Sequence, residues 1–110
     1  MADRLSAKFA ALADPTRRAM LARLAQEELT LADLAKPLSM TVPAVAKHLA
    51  VLERAGFVIR RRPRRSVARP ARLQAAALTE MAEWIARCRV HWEGSFERLS
   101  DYLETSDDEK

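Results

Sequence analysis

Arginine is concentrated in one short stretch of this 110-residue sequence. Seven arginines and no acidic residue lie between Phe57 and Leu73, whereas seven acidic residues lie between Glu93 and Lys110. Guanidinium groups stay charged at any physiological pH and bind phosphates through paired hydrogen bonds. We therefore expect one end of the molecule to bind a polyanion and the acidic end to face away from it.

The segment 41–48 offers a second set of side chains with useful chemistry. A helix over this segment would bury Val45 and Leu49 and leave most of the other side chains free. Lys47 can neutralise a phosphate, His48 can donate to a phosphate or a base edge, and small apolar side chains can contact a thymine methyl group. The DNA contacts predicted here are Thr41, Val42, Pro43, Ala44, Lys47 and His48.

Apolar periodicity predicts five helices, over residues 3–12, 15–25, 30–35, 41–55 and 76–103. The residues expected to cap helix starts are Asp14, Thr30 and Thr41. The third and fourth helices are joined by a tight turn, which is typical of a helix-turn-helix whose second helix enters the major groove of DNA. This pattern predicts that double-stranded DNA is the polyanion.

A β-hairpin is expected after the fourth helix, which Gly56 should end. Phe57–Ile59 is predicted as one strand, 60–66 as the hairpin tip and 67–73 as the returning strand, with Pro70 at an edge position. The predicted contacts of this wing with DNA are Arg60, Arg61, Arg62, Arg64 and Arg65. The fold class is therefore mainly α with a small β-hairpin, a winged helix-turn-helix in the order α-α-α-α-β-β-α.

The last predicted helix has an apolar seam at nearly heptad spacing. At 28 residues it would be roughly 40 Å long, more than a small domain can cover, so part of the seam should face a second copy of the chain. The seam residues expected in this homodimer are Met81, Ile85, Cys88, Trp92 and Leu99. We expect one domain over residues 1–104 and an acidic disordered tail over 105–110.

Composition argues against several other classes of protein. Hydrophobic residues make up 49% of the chain and charged residues 31%, as in folded soluble proteins. No apolar run reaches the roughly 20 residues of a membrane span, and the N-terminus lacks the apolar core of a signal peptide. The single cysteine suits a reducing cytoplasm, so we expect a cytoplasmic protein.

The chain offers little material for catalysis or for metal binding. Two glycines, two histidines and one cysteine provide neither a phosphate-cradling loop nor a nucleophile with a base, so we expect no enzyme, cofactor or dedicated metal site. Two alternatives stay open: a redox or ligand response through Cys88 or the terminal-helix aromatic residues, and a winged helix that contacts mainly proteins.

Three segments resemble the ArsR family of bacterial winged-helix repressors: FAALADPTRRAMLARL, MTVPAVAKHLAVLERAGFV and EWIARCRVHWEGSFERLSDYLE. The similarity extends from Phe9 to Glu104. It implies a homodimer paired through the first and last helices, an operator with inverted symmetry, and repression of its own operon that a ligand or redox signal relieves. First-helix residues implied in this pairing are Leu5, Phe9 and Leu12.

Some positions depart from the family pattern. In the family, a metal-thiolate site uses a pair of cysteines in the third helix, and this sequence has no cysteine there. The presence of Trp84 and Trp92 is similar to a subgroup of the family that lacks this site. Ala46 stands where relatives often carry a hydroxyl side chain, and Ser66 and Val67 stand where a Gly-Arg pair often turns the wing. The resemblance thus implies a DNA-binding regulator of bacteria that is nucleoid-associated when bound, and it leaves the identity of the effector open.

Overall fold

The computed structural model describes residues 3–60 and 70–108, with side chains described as far as residue 105. In this part of the chain it has five helices and one two-stranded antiparallel sheet. The elements in chain order are α1 (Arg4–Ala11), α2 (Pro15–Leu24), α3 (Leu31–Ala35), α4 (Val42–Arg54), β1 (Val58–Arg60), β2 (Ala71–Leu73) and α5 (Ala75–Asp108). The predicted mainly helical fold with a small hairpin is confirmed.

Short polar side chains begin the first four helices by accepting hydrogen bonds from otherwise unpaired backbone N–H groups. Asp14 accepts from the backbone N–H of Arg17 at 3.0 Å, and Pro15 opens α2 at a position where a missing N–H costs nothing. Thr30 and Thr41 cap α3 and α4 in the same way, so all three predicted caps are confirmed. Asp3 caps α1 as well.

A positive backbone angle ends α4 and turns the chain into the sheet. Gly56 has a φ of +87°, in the left-handed region that glycine adopts without steric cost. The backbone N–H of Phe57 then donates to the carbonyl of Leu52 at 3.0 Å, which satisfies one of the last carbonyls of the helix. The predicted end of α4 at Gly56 is confirmed.

The sheet is shorter and shifted relative to the sequence prediction. β1 contains Arg60, which we predicted in the hairpin tip, and β2 begins only at Ala71, after Pro70. Leu29 adds an isolated antiparallel bridge to β2, since its backbone exchanges hydrogen bonds of 3.0 and 2.7 Å with Ala71. The predicted tip over residues 61–66 and the start of the returning strand at 67–69 lie outside the described residues.

The core of the first part of the chain lies where α2, α3, α4 and the sheet meet. Its largest fully buried side chains are Phe57, Met20, Leu34, Leu49, Leu52 and Val45. The three α4 members of this set are spaced four and three residues apart, so they form one stripe along the helix. Burial of this stripe fixes which side of α4 is left for solvent.

The chain divides into two compact units, residues 1–79 and 80–110, with the boundary inside α5. α5 has 34 residues, which corresponds to about 50 Å of helix. It begins one residue earlier than predicted and continues through Asp108, so four residues of the predicted disordered tail, 105–108, are helical. Its sequence from 95 onwards has no proline or glycine to stop the helix.

Candidate nucleic-acid interface

The first turns of α4 present a small, mixed surface. Thr41 Oγ1 accepts from the backbone N–H of Ala44 at 3.3 Å, which holds the start of the helix in place. Val42 is 49% exposed and Pro43 and Lys47 are exposed, whereas Ala44 is half-buried. The structure therefore places five of the six predicted α4 contacts along one end of a helix whose other side is anchored in the core.

Two short helices hold α4 in position. α3 packs against α4, and a capping box between Thr30 and Asp33 fixes its start. Arg23 of α2 donates to the backbone carbonyls of Leu34 at 3.3 Å and Asp33 at 3.2 Å, and so ties α2 to the last turn of α3. These contacts hold α2, α3 and α4 together and so fix the position of the exposed end of α4.

His48, the sixth predicted contact, is held by α2. Its Nδ1 lies 3.2 Å from Nη1 of Arg17 and 3.9 Å from Oδ2 of Asp14, and its side chain is only 20% exposed. The sequence assigned His48 to the DNA-facing surface alone. The structure gives one of its two ring nitrogens a partner within the protein and leaves part of the ring accessible.

Arg17 was not singled out from the sequence, although it lies in the Ala-Asp-Pro-Thr-Arg-Arg motif. Besides His48, its guanidinium donates to the carbonyls of Ala11 at 2.6 Å and Ala10 at 3.2 Å, in the last turn of α1. One side chain therefore connects the end of α1, the start of α2 and the middle of α4. This motif was the only feature of the sequence that could have drawn attention to Arg17. A local motif does not reveal a contact with His48, which lies 31 residues further along the chain.

Three capping aspartates have pKa values below the ordinary range. For Asp14 the largest cause is the hydrogen bond from the Arg17 backbone N–H, and nearby positive charge acts in the same direction. The pKa of Asp3 is lowered mainly by its hydrogen bonds from Ser6, and that of Asp33 mainly by the Thr30 side chain. Each carboxylate is thus stabilised in its charged form at a helix start, where the helix dipole also favours negative charge.

Of the five wing arginines that we predicted, only Arg60 falls within the described residues. It pairs with Ala71 in the sheet, and its Nε is buried with no hydrogen-bond partner among the described residues. Arg61, Arg62, Arg64 and Arg65 lie outside the described part of the chain, as do Ser66 and Val67. The wing contacts therefore stay a prediction.

The residues predicted at a dimer interface on α1 are only partly exposed. Leu5 and Leu12 are half-buried, and Phe9 is 36% exposed. They retain some apolar surface that a second copy could cover, so their place at a dimer interface stays a prediction.

On α5, large apolar side chains remain in solvent along one stripe. Ile85, Trp92 and Leu99 are 50, 61 and 53% exposed, and Cys88 is half-buried. Met81 is 6% exposed, so it has little surface left to give to a partner. Most of the stripe that the sequence assigned to a second subunit is thus available for one.

Other kinds of site find little support in the described residues. No group of three or more histidine, cysteine or carboxylate side chains comes together there to hold a metal ion. Within the same residues no helix is both long enough and apolar enough to cross a membrane. On α5, the rings of Trp92 and Phe96 lie 5.9 Å apart and tilted, as side chains four residues apart on a helix do.

Comparison with known proteins adds independent evidence. Residues 12–61 match the family described as helix-turn-helix domain. The chain is 50% identical over 48 residues to the HTH-type transcriptional regulator Rv2034 of Mycobacterium tuberculosis, a match over 44% of this chain and 45% of that protein. It is 48% identical over 61 residues to the uncharacterized HTH-type transcriptional regulator YuzN of Bacillus subtilis, over 49% of this chain and 66% of that one. The match thus spans between about half and two thirds of the curated relatives.

Solved structures match over a larger share of the chain. A crystal structure of an ArsR family transcriptional regulator superposes with a TM-score of 0.76 at 36% identity, over 83% of this chain and 98% of the other. An ArsR-like transcriptional regulator from Rhodococcus sp. RHA1 gives 0.76 at 29% identity, over 87% and 89%. A homodimeric winged helix-turn-helix DNA-binding domain from Mycobacterium bovis gives 0.60 at 25% identity, over 87% and 84%.

The order of the elements, the hairpin after α4 and the exposed end of α4 together define a DNA-binding winged helix-turn-helix that regulates transcription. The chain is 36% identical to a member of the ArsR family and matches 98% of that member's length. It therefore belongs to the ArsR family of transcriptional regulators.

Proposed function

We propose that the chain is a sequence-specific repressor that binds double-stranded DNA as a homodimer. The observation that carries this proposal is the anchoring of α4: its Val45, Leu49 and Leu52 are 0% exposed, while Val42, Pro43 and Lys47 near its start are exposed. A helix held in this way can lie in the major groove of DNA, where the side chains of its first turns contact the base edges. Repression follows from steric blocking of a promoter by a small bound domain.

The charge of α4 suits this role. Its only cations are Lys47, in the exposed half next to His48, and Arg54, in the last turn. Its one acidic residue, Glu53, also lies in the last turn, away from the proposed reading end. Lys47 can therefore neutralise a phosphate, while Val42 and Ala44 offer apolar contacts to thymine methyl groups.

A homodimer fits the remaining apolar surface. The α5 stripe exposes large apolar side chains to water, which is typical of an interaction surface, and a winged helix-turn-helix of M. bovis with a similar fold is homodimeric. Two copies related by a twofold axis read an operator with inverted symmetry, with half-sites about 10 bp apart or a small multiple of that distance. We propose that one such operator lies upstream of the protein's own gene.

The test compares two cations on the same helix. Lys47→Ala removes the charge from the proposed reading end, and Arg54→Ala removes one about 10 Å further along, on the same side seven residues away. Binding to a duplex from the region upstream of the gene is measured by fluorescence anisotropy at several salt concentrations. We expect Lys47→Ala to lower the log–log salt slope by about one and Arg54→Ala to leave it unchanged.

Equal slopes for Lys47→Ala and the unmodified chain would show that the start of α4 does not approach phosphates. A loss with Arg54→Ala as large as that with Lys47→Ala would contradict the assignment of the N-terminal half as the reading end.

A further inference from the structure

One arginine joins the DNA-reading helix to the rest of the winged domain. Arg17 donates to two carbonyls in the last turn of α1 and places Nη1 3.2 Å from Nδ1 of His48 on α4. Its own backbone N–H is held by the Asp14 carboxylate at 3.0 Å. Two hydrogen bonds therefore fix the guanidinium beside the imidazole, and a third fixes the backbone that carries it.

The chemistry of the two groups decides where the proton of His48 lies. Arginine has five N–H donors and no acceptor, and it does not lose its proton in proteins. Nδ1 of His48 can take part in this contact only as an acceptor, so a neutral ring carries its hydrogen on Nε2. The Asp14 carboxylate would favour the opposite tautomer, but it lies at 3.9 Å, beyond hydrogen-bond distance.

We propose that Arg17 is a positioning residue for DNA binding: by donating to Nδ1, it fixes the ring and tautomer of His48 so that Nε2–H is the group offered to DNA. A donor at Nε2 suits a phosphate oxygen or a purine N7, both of which only accept. This inference rests on the proposed function, because it assumes that α4 is the DNA-reading helix.

Arg17 does not act here as a phosphate contact. Its guanidinium is turned towards backbone carbonyls and an imidazole, and the residue is half-buried. Its neighbour Arg18 provides a matched control, because its guanidinium donates to the carbonyl of Leu12 at 2.7 Å in an exposed hydrogen bond. Arg18→Gln removes the same charge and a similar tie to the end of α1 without removing a contact to His48.

The tautomer is measured on the free protein by long-range ¹H–¹⁵N NMR at pH 8, where an ordinary histidine is neutral. We expect His48 to carry its proton on Nε2 in the unmodified chain and in Arg18→Gln. In Arg17→Gln we expect part of the population to move the proton to Nδ1, towards Asp14. His91 on α5, the other histidine, serves as an internal reference that no variant changes. A proton on Nδ1 in the unmodified chain, or equal spectra in all three proteins, would overturn the proposal.

Circular dichroism establishes that each variant is folded. Arg17→Lys is the second variant: it keeps the charge but lacks the fork that reaches α1 and His48 together, so it should behave like Arg17→Gln. Full retention of the Nε2 tautomer in Arg17→Lys would also overturn the role of the guanidinium geometry.

The consequence for DNA binding is measured with a double-mutant cycle on the same duplex. His48→Ala should weaken binding by about tenfold, the loss of one hydrogen bond to a charged group, and Arg17→Gln by a smaller factor that is set by the share of rings that lose Nε2–H. If the two act through one contact, the double variant should also be weaker by only about tenfold. The salt slope should not change with Arg17→Gln, because a neutral imidazole and a guanidinium that faces the protein interior neutralise no phosphate.

The two possible failures give different results. A loss in the double variant equal to the product of the two single losses, with Lys47→Ala still lowering the salt slope, would refute the role of Arg17 and leave α4 as the reading helix. If neither Lys47→Ala nor His48→Ala changes binding, α4 does not read DNA. The proposed function then fails, and the part of this inference that concerns DNA is overturned with it.

Discussion

The exposed stripe on α5 allows a quantitative prediction about self-association. Ile85 is 50% exposed, and complete burial of such a side chain stabilises by about 1.5–3 kcal/mol, so about 1 kcal/mol per protomer is left for association to gain. A symmetric dimer contains the residue twice. We therefore expect Ile85→Ala to cost about 2 kcal/mol and to raise the dimer dissociation constant by about thirtyfold.

Val90 provides the matched control for this variant. It is apolar, lies on the same helix and is 71% exposed, but five residues from Ile85 correspond to about 140° around the helix, off the stripe. Sedimentation equilibrium over a range of protein concentrations gives both dissociation constants. Val90→Ala should leave the dimer unchanged. Equal effects of the two substitutions, or a shift of less than about threefold for Ile85→Ala, would refute the stripe as the dimer interface.

Three further predictions concern stability. Leu49→Ala removes a fully buried side chain of α4 and should lower the free energy of unfolding by about 2–5 kcal/mol in a urea titration. Thr41→Ala removes the cap of the same helix and should cost about 1 kcal/mol by the same measurement; no change would mean that the Ala44 N–H finds another acceptor. The pKa of Asp14 is lowered on folding, so its charged form stabilises the protein above the ordinary aspartate pKa of about 4, and this contribution is lost as the pH falls further. Asp14→Asn retains a capping side chain but does not titrate, so its melting temperature should fall less between pH 5 and pH 2 than that of the unmodified chain; parallel curves would contradict this assignment.

Features set by neighbouring residues were predictable from the sequence. The caps at Asp14, Thr30 and Thr41, the turn at Gly56 and the buried stripe of α4 all depend on contacts within a few residues, and the structure has them where expected. Propensity and spacing are sufficient for such features because the atoms that interact are already close along the chain.

Contacts between distant segments were not predictable in this way. The bridge of Leu29 to Ala71 involves single residues 42 positions apart, which leave no periodic pattern. The contact of Arg17 with His48 depends on how α2 lies against α4, and either side chain alone is compatible with a solvent-facing role. The extension of α5 to Asp108 was missed because polar ends of a chain often fray, and the sequence after Leu103 has no apolar periodicity that would predict a helix.

The central claim, that the chain reads double-stranded DNA through the start of α4, is tested most directly by mapping bound fragments. The purified protein is mixed with sheared genomic DNA and excess nonspecific competitor, and the retained fragments are sequenced and footprinted. We predict a few enriched fragments, each protected over two inverted half-sites about 10 bp apart or a small multiple, with the preferred sequence altered in Val42→Asn and kept in Arg54→Ala. Retention without sequence enrichment, or a preferred sequence that Val42→Asn leaves unchanged, would contradict the claim.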